Sequence, residues 1–201
     1  ELSVGNHLFM TIQWMLSSFA NEGKAFFIAI WAAGFLLLMK SEKAKVYQSL
    51  AVVFSVAAIL PYAGITIFSE MGIGDIDIEQ CLMELPTWQS MTTQNRIAFF
   101  WWIAAVLFTL VLLWKVTGHS VFISMVFLGG IASEAVLHFS PTIYASGARV
   151  YYLTDLMYLF IILWMVMHMD SEKKKNLFIA GVVVLGVANF LSQYSVMLLK
   201  L

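Results

Sequence analysis

Charge is what this sequence has least of. Only 11% of its 201 residues are charged, against about 25% in an ordinary globular chain, and 61% are hydrophobic. A water-soluble fold is excluded on that balance. A single cysteine, Cys81, excludes an internal disulfide framework and a multi-cysteine metal site. With 3 prolines and no low-complexity tract, collagen-like repeats and flexible linkers are excluded too. Basic residues number 11 against 12 acidic, so nothing provides the electrostatic footprint of a nucleic-acid binder. No P-loop, GxGxxG or GxSxG element is present, which removes support for NTPase, dinucleotide and standard hydrolase chemistry. No charged n-region followed by a clean apolar run stands at the start, as a signal peptide would have. The first residue is Glu1 rather than Met, and the chain is expected to be processed, or to be the C-terminal fragment of a longer one.

What remains is apolar and aromatic, with 16 Phe, 7 Trp and 7 Tyr and a mean hydropathy of +0.86. A helix crossing the ~30 Å hydrocarbon layer needs ~20 apolar residues, and charges punctuate such runs. Residues 25–39 form a short run between Lys24 and Lys40, both able to snorkel towards headgroups. Residues 46–69 follow, with Pro61 as a kink in the outer half. Next come 97–114, 120–138 broken by Glu134, 150–169 broken by Asp155, and 176–199. The expected fold is therefore all-α: a polytopic transmembrane bundle of six spans, one integral membrane domain over residues 1–201. Residues 2–21 are uncharged but polar in places, and form either a seventh, partial span or an interfacial segment. The sequence favours the interfacial reading.

Alternate connections carry the lysines. Lys40, Lys43 and Lys45, then Lys115, then Lys173, Lys174 and Lys175 fall on one side if the spans alternate. The positive-inside rule makes that side cytoplasmic, and residues 70–96 and 139–149 extracytoplasmic. The chain is thus expected in a bacterial cytoplasmic membrane, with membrane lipids as its immediate partners. The long loop 70–96 exceeds a usual structureless connection, which points to an ordered or functional element.

Helices in lipid associate through close backbone contact and interhelical hydrogen bonds. Gly129 and Ser133, beside Gly130 and Ala132, offer a small face for a close crossing. Asn189 and Gln193, four apart, offer polar glue. Ionisable residues inside a span are costly and turn towards protein or water. Glu134 and His138 lie i, i+4, followed by the hairpin FSPTIYASGAR and then Asp155 near the start of the next span. The hairpin brings Glu134, His138, Ser140, Tyr144, Ser146, Arg149 and Asp155 to one depth near the outer leaflet. Arg149 suits a phosphate or carboxylate, and equally suits an ion pair with Asp155 or Glu134. The His138–Glu134 couple suits proton transfer or a structural hydrogen bond. In the loop GIGDIDIEQ, alternation places Asp75, Asp77 and Glu79 on one face of an extended segment, suited to a divalent cation, or simply to solvent.

The SPTIYASGAR hairpin, with an acidic DxD in another outer loop, resembles parts of bacterial polytopic proteins related to the GT-C class of glycosyltransferases. The resemblance covers residues 139–155 and the Asp75–Asp77 motif. It departs from the class in having about six spans rather than many more, and in carrying the acidic motif after the second span. It implies transfer of a sugar from a polyprenyl-phosphate lipid, with Asp75 or Glu134 as catalytic base and Arg149 on the phosphate. Two other classes fit the residues: a small proton-coupled transporter lined by Glu134, His138 and Asp155, and a structural or partner-binding bundle in which the polar cluster is glue.

Overall fold

The computed structural model describes residues 4–21, 23–60, 93–138 and 152–199. Among them there are seven α-helices and no strand: α1 (Val4–Asn21), α2 (Lys24–Leu38), α3 (Lys45–Ile59), α4 (Thr93–Val116), α5 (Val121–His138), α6 (Tyr152–Met167) and α7 (Glu172–Leu199). A 3-10 turn, Glu42–Ala44, joins α2 to α3. Apolar runs of this length satisfy their backbone donors and acceptors within the segment as helices, and polar residues mark the ends. Among the described residues one helix, α4, is long and apolar enough to cross a membrane, over Phe99–Val116. The helices Lys24–Leu38 and Tyr152–Met167 and the stretch Val121–Val136 are apolar but shorter. Pro61, and with it the expected kink, lies outside the described residues.

α2 is the central helix, packed against α3, α4, α6 and α7. Its contacts with α4 advance together: Phe27 with Trp102, Trp31 with Thr109, Gly34 with Leu112, so the two helices run parallel. The Trp31 indole N–H donates to Thr109 Oγ1 at 2.8 Å, and the Thr109 hydroxyl donates to the Ala105 carbonyl at 2.7 Å. This buried relay leaves neither polar group orphaned, which matters because an unmade buried hydrogen bond costs ~1–3 kcal/mol. At Gly34 a Cβ would stand 2.7 Å from Leu112 Cδ2, and Leu112 is fully buried. Only glycine permits this approach.

α5 and α6 form an antiparallel pair. Phe122 meets Phe160, Gly129 meets Met157, and Ser133 meets Thr154. α1 packs on α2, α6's neighbour α5, and α4, with Phe9 against Phe99 and Phe19 against Phe27. The segment read as a span or an interfacial element is thus a helix docked on the bundle.

The same registers bring the lysine-bearing turns after α2, α4 and α6 to one end. There the Lys40 ammonium sits 2.6 Å from Asp170 Oδ2, and Lys174 sits 3.0 Å from Asp170 Oδ1. Lys174 also donates to the Leu36 carbonyl at 2.8 Å, satisfying an orphan acceptor in the last turn of α2. Hydrogen bonds from Lys40 and then Lys174 hold the Asp170 carboxyl down from its ordinary 3.8 to about 2. A carboxylate with a depressed folded pKa contributes stability that is complete above its unfolded pKa and is lost as pH falls through the folded one. Thermal stability is therefore expected to lose this contribution between about pH 4 and about pH 2. Asp170→Asn should melt lower than the parent at pH 7 and converge with it at the acid end. Parallel melting curves for parent and variant at every pH would show that the link between the turns contributes nothing.

Candidate functional site

At the end of the bundle opposite the lysine turns, α5 and α6 hold a polar group of side chains. Gly130 and Glu134 share a stripe of α5, one turn apart. The bare Cα of Gly130 lets the Tyr158 ring come close: a Cβ there would lie 3.3 Å from Tyr158 Cε1. Thr154 Oγ1 donates to the Gly130 carbonyl at 3.2 Å, and Ser133 Oγ donates to the same carbonyl at 2.8 Å. The two hydroxyls are 3.1 Å apart. The small face read in Gly129 and Ser133 thus forms the close crossing with α6.

Glu134 is buried, at 1% exposure, and Asp155 is half-buried. Tyr158, also 1% exposed, lies within electrostatic reach of both carboxylates. Its ring is fixed by Phe27 at 5.7 Å, Phe127 at 5.7 Å and Phe26 at 6.1 Å between centroids. Its hydroxyl is buried and has no hydrogen-bond partner among the described residues. Buried polar atoms are nearly always paired; the Tyr158 hydroxyl shares its condition with the indole nitrogens of Trp101 and Trp102, and differs from them in lying beside two carboxylates.

Lys24 is the residue at this end whose placement sequence reasoning missed. A lysine bordering an apolar run was expected to snorkel outward; here Lys24 is buried, at 6% exposure. It stands one turn beyond Phe27, which touches both Phe127 and Tyr158, on the side of the bundle away from the lysine turns. The run itself gave no signal of this, because a short apolar segment favours snorkelling lysines at its ends.

The structure brings together Glu134, Tyr158 and the Ser133–Thr154 pair, with Asp155 beside them. The backbone of His138 ends α5. Its side chain lies outside the described set, as do the side chains of Asn189 and Gln193 and the residues Ser140, Tyr144, Ser146 and Arg149. Asp75, Asp77 and Glu79, the candidate cation ligands, also lie outside the described residues. Among the described residues no three His, Cys, Asp or Glu side chains come together as a metal site would need.

No protein-family model matches this chain, and no curated protein and no solved structure matches it.

Proposed function

We propose that the chain is an integral membrane bundle of six spans whose polar end, at the extracytoplasmic leaflet, binds the phosphate-bearing head of a polyprenyl-linked sugar for transfer. Support for the membrane part comes from the outside of the bundle. Large apolar side chains are turned outward on five helices, for example Val53, Leu107, Met125, Leu163 and Val184, each more than half exposed. Soluble monomers rarely expose contiguous apolar patches beyond a few hundred Å². Lysine turns gathered at one end support a cytoplasmic position for that end under the positive-inside rule.

The observation that carries the site is the Tyr158 hydroxyl, buried beside Glu134 and Asp155 without a hydrogen-bond partner among the described residues. A donor so held is suited to an anionic oxygen supplied by a ligand. In this reading Glu134 or Asp75 takes the proton of the acceptor hydroxyl, whose oxygen then bonds to the sugar's anomeric carbon. The bond from that carbon to the lipid phosphate breaks, and Arg149 balances the departing phosphate charge. His138, Ser140, Tyr144, Ser146 and Asp155 line the head group, and Asp75, Asp77 and Glu79 hold a divalent cation.

A second reading has its own observation. Ser133, Thr154 and the Gly130 carbonyl satisfy one another, as polar glue in a structural bundle would. Thermal stability of the purified protein separates the two. A ligand that binds only the folded form stabilises it by ~2.7 kcal/mol at a hundred times its Kd. Polyprenyl phosphate should raise the melting midpoint, and the matching polyprenyl alcohol should not. Equal responses to both would leave the structural bundle.

A further inference from the structure

A groove of about 420 Å³ runs along α2, α3 and α7 at the lysine end, lined by Ala29, Ala32, Val52, Val56, Leu177 and Gly181 among others. Ser55 is the one hydroxyl in its wall. It follows residues 28–36 of α2, 51–59 of α3 and 177–185 of α7, so it is about 12 Å long at ~1.5 Å per residue. That is close to the ~15 Å depth of one leaflet's hydrocarbon. It opens one turn inside the lysine turns.

The helix stripes that line it continue into lysines. Lys173 precedes Leu177 by four residues on α7, and Lys45 precedes Val52 by seven on α3, each on the same face as the groove wall. Around this end stand Lys40, Lys43, Lys45, Lys173, Lys174 and Lys175 against Glu42, Asp170 and Glu172. Asp170 is occupied by Lys40 and Lys174, and Glu172 by Lys175. Lys45 has only a 3.7 Å contact with an exposed Glu42, and among the described residues Lys43 and Lys173 have no ion pair. The mouth therefore carries uncompensated positive charge.

We infer that the groove seats one acyl chain of an anionic phospholipid from the leaflet on the lysine side, its phosphate held by Lys45 and Lys173. This rests on the reading of the chain as a membrane-spanning bundle. A second copy of the chain is disfavoured, because a two-fold contact through this face would bring both sets of lysines together.

Vesicles of phosphatidylcholine holding the protein and a trace of photoactivatable lipid test it, after alkaline carbonate extraction. Release by carbonate would overturn the membrane reading and the lipid seat together; retention leaves the seat to be judged alone. With the photoreactive group in the acyl chain, phosphatidylglycerol should label residues 51–59 and 177–185 several-fold more than a phosphatidylcholine probe. Lys45→Gln with Lys173→Gln should bring labelling down to the phosphatidylcholine level. Gly181→Leu should lower labelling by both probes; a Cβ there meets nothing within 4 Å, so the added side chain starts in open space in the groove. Equal labelling by both probes, spread over the outward faces of α4 and α6, overturns the proposal. So does a cross-link between copies through residues 177–185.

Discussion

Tyr158→Phe is expected to leave the bundle as stable as the parent, or slightly more so, while weakening binding of polyprenyl phosphate by about 10- to 150-fold. The hydroxyl has no hydrogen-bond partner among the described residues, so its removal ends a desolvation cost and breaks no internal bond there. A hydrogen bond to a charged group is worth ~1.5–3 kcal/mol, which sets the size of the binding loss. Tyr158→Ala should act differently. Its ring packs on Phe26, Phe27 and Phe127 and on the open face of Gly130, so truncation should cost ~3–5 kcal/mol of stability. Melting curves and binding isotherms on both variants separate the ring from the hydroxyl. If Phe binds polyprenyl phosphate as tightly as Tyr, the hydroxyl has no role in recognition.

Glu134→Gln should reduce sugar transfer by about 10²–10⁴-fold, the usual contribution of a positioned base. Gln keeps the shape of the side chain and loses the ability to take a proton. A structural role makes the opposite pattern. If the buried carboxylate only holds its neighbours, the variant would melt early while its folded fraction worked normally. Turnover per folded molecule, from a radiolabelled polyprenyl-linked sugar, therefore distinguishes the two roles.

Helix positions were readable because polar residues break the apolar runs at each end. The shared end of the lysine turns was readable for the same reason. The inward turn of Glu134 followed from the cost of facing a carboxylate to lipid, and the crossing of α5 and α6 from the small residues Gly129 and Ser133. The parallel register of α2 and α4 was not readable. α4 is apolar on every face, so no periodicity marks the side that meets Trp31 and Gly34; one hydroxyl, Thr109, and one missing side chain set that register. Lys174 looked like a topology marker only, and its bond to the Leu36 carbonyl depends on a neighbour far away in sequence. No local pattern singles out Tyr158, whose ring packs against the bare Cα of Gly130. Such choices depend on which helices are neighbours, and no local pattern records that.

Thiol labelling in intact cells tests the central claim most directly, that the lysine turns and the polar end lie on opposite sides of a membrane. Cys81 is the only native thiol in this sequence and belongs to the loop assigned to the outside. Two further proteins carry Cys81→Ser together with Lys43→Cys or Lys174→Ala and Ser171→Cys, so that each has one thiol in a lysine turn. An impermeant maleimide added to whole cells should label Cys81 and neither turn, and both turns should label once the cells are opened. Labelling of both turns from outside, with Cys81 protected until lysis, would contradict the assignment and place the site of Glu134 and Tyr158 on the cytoplasmic side.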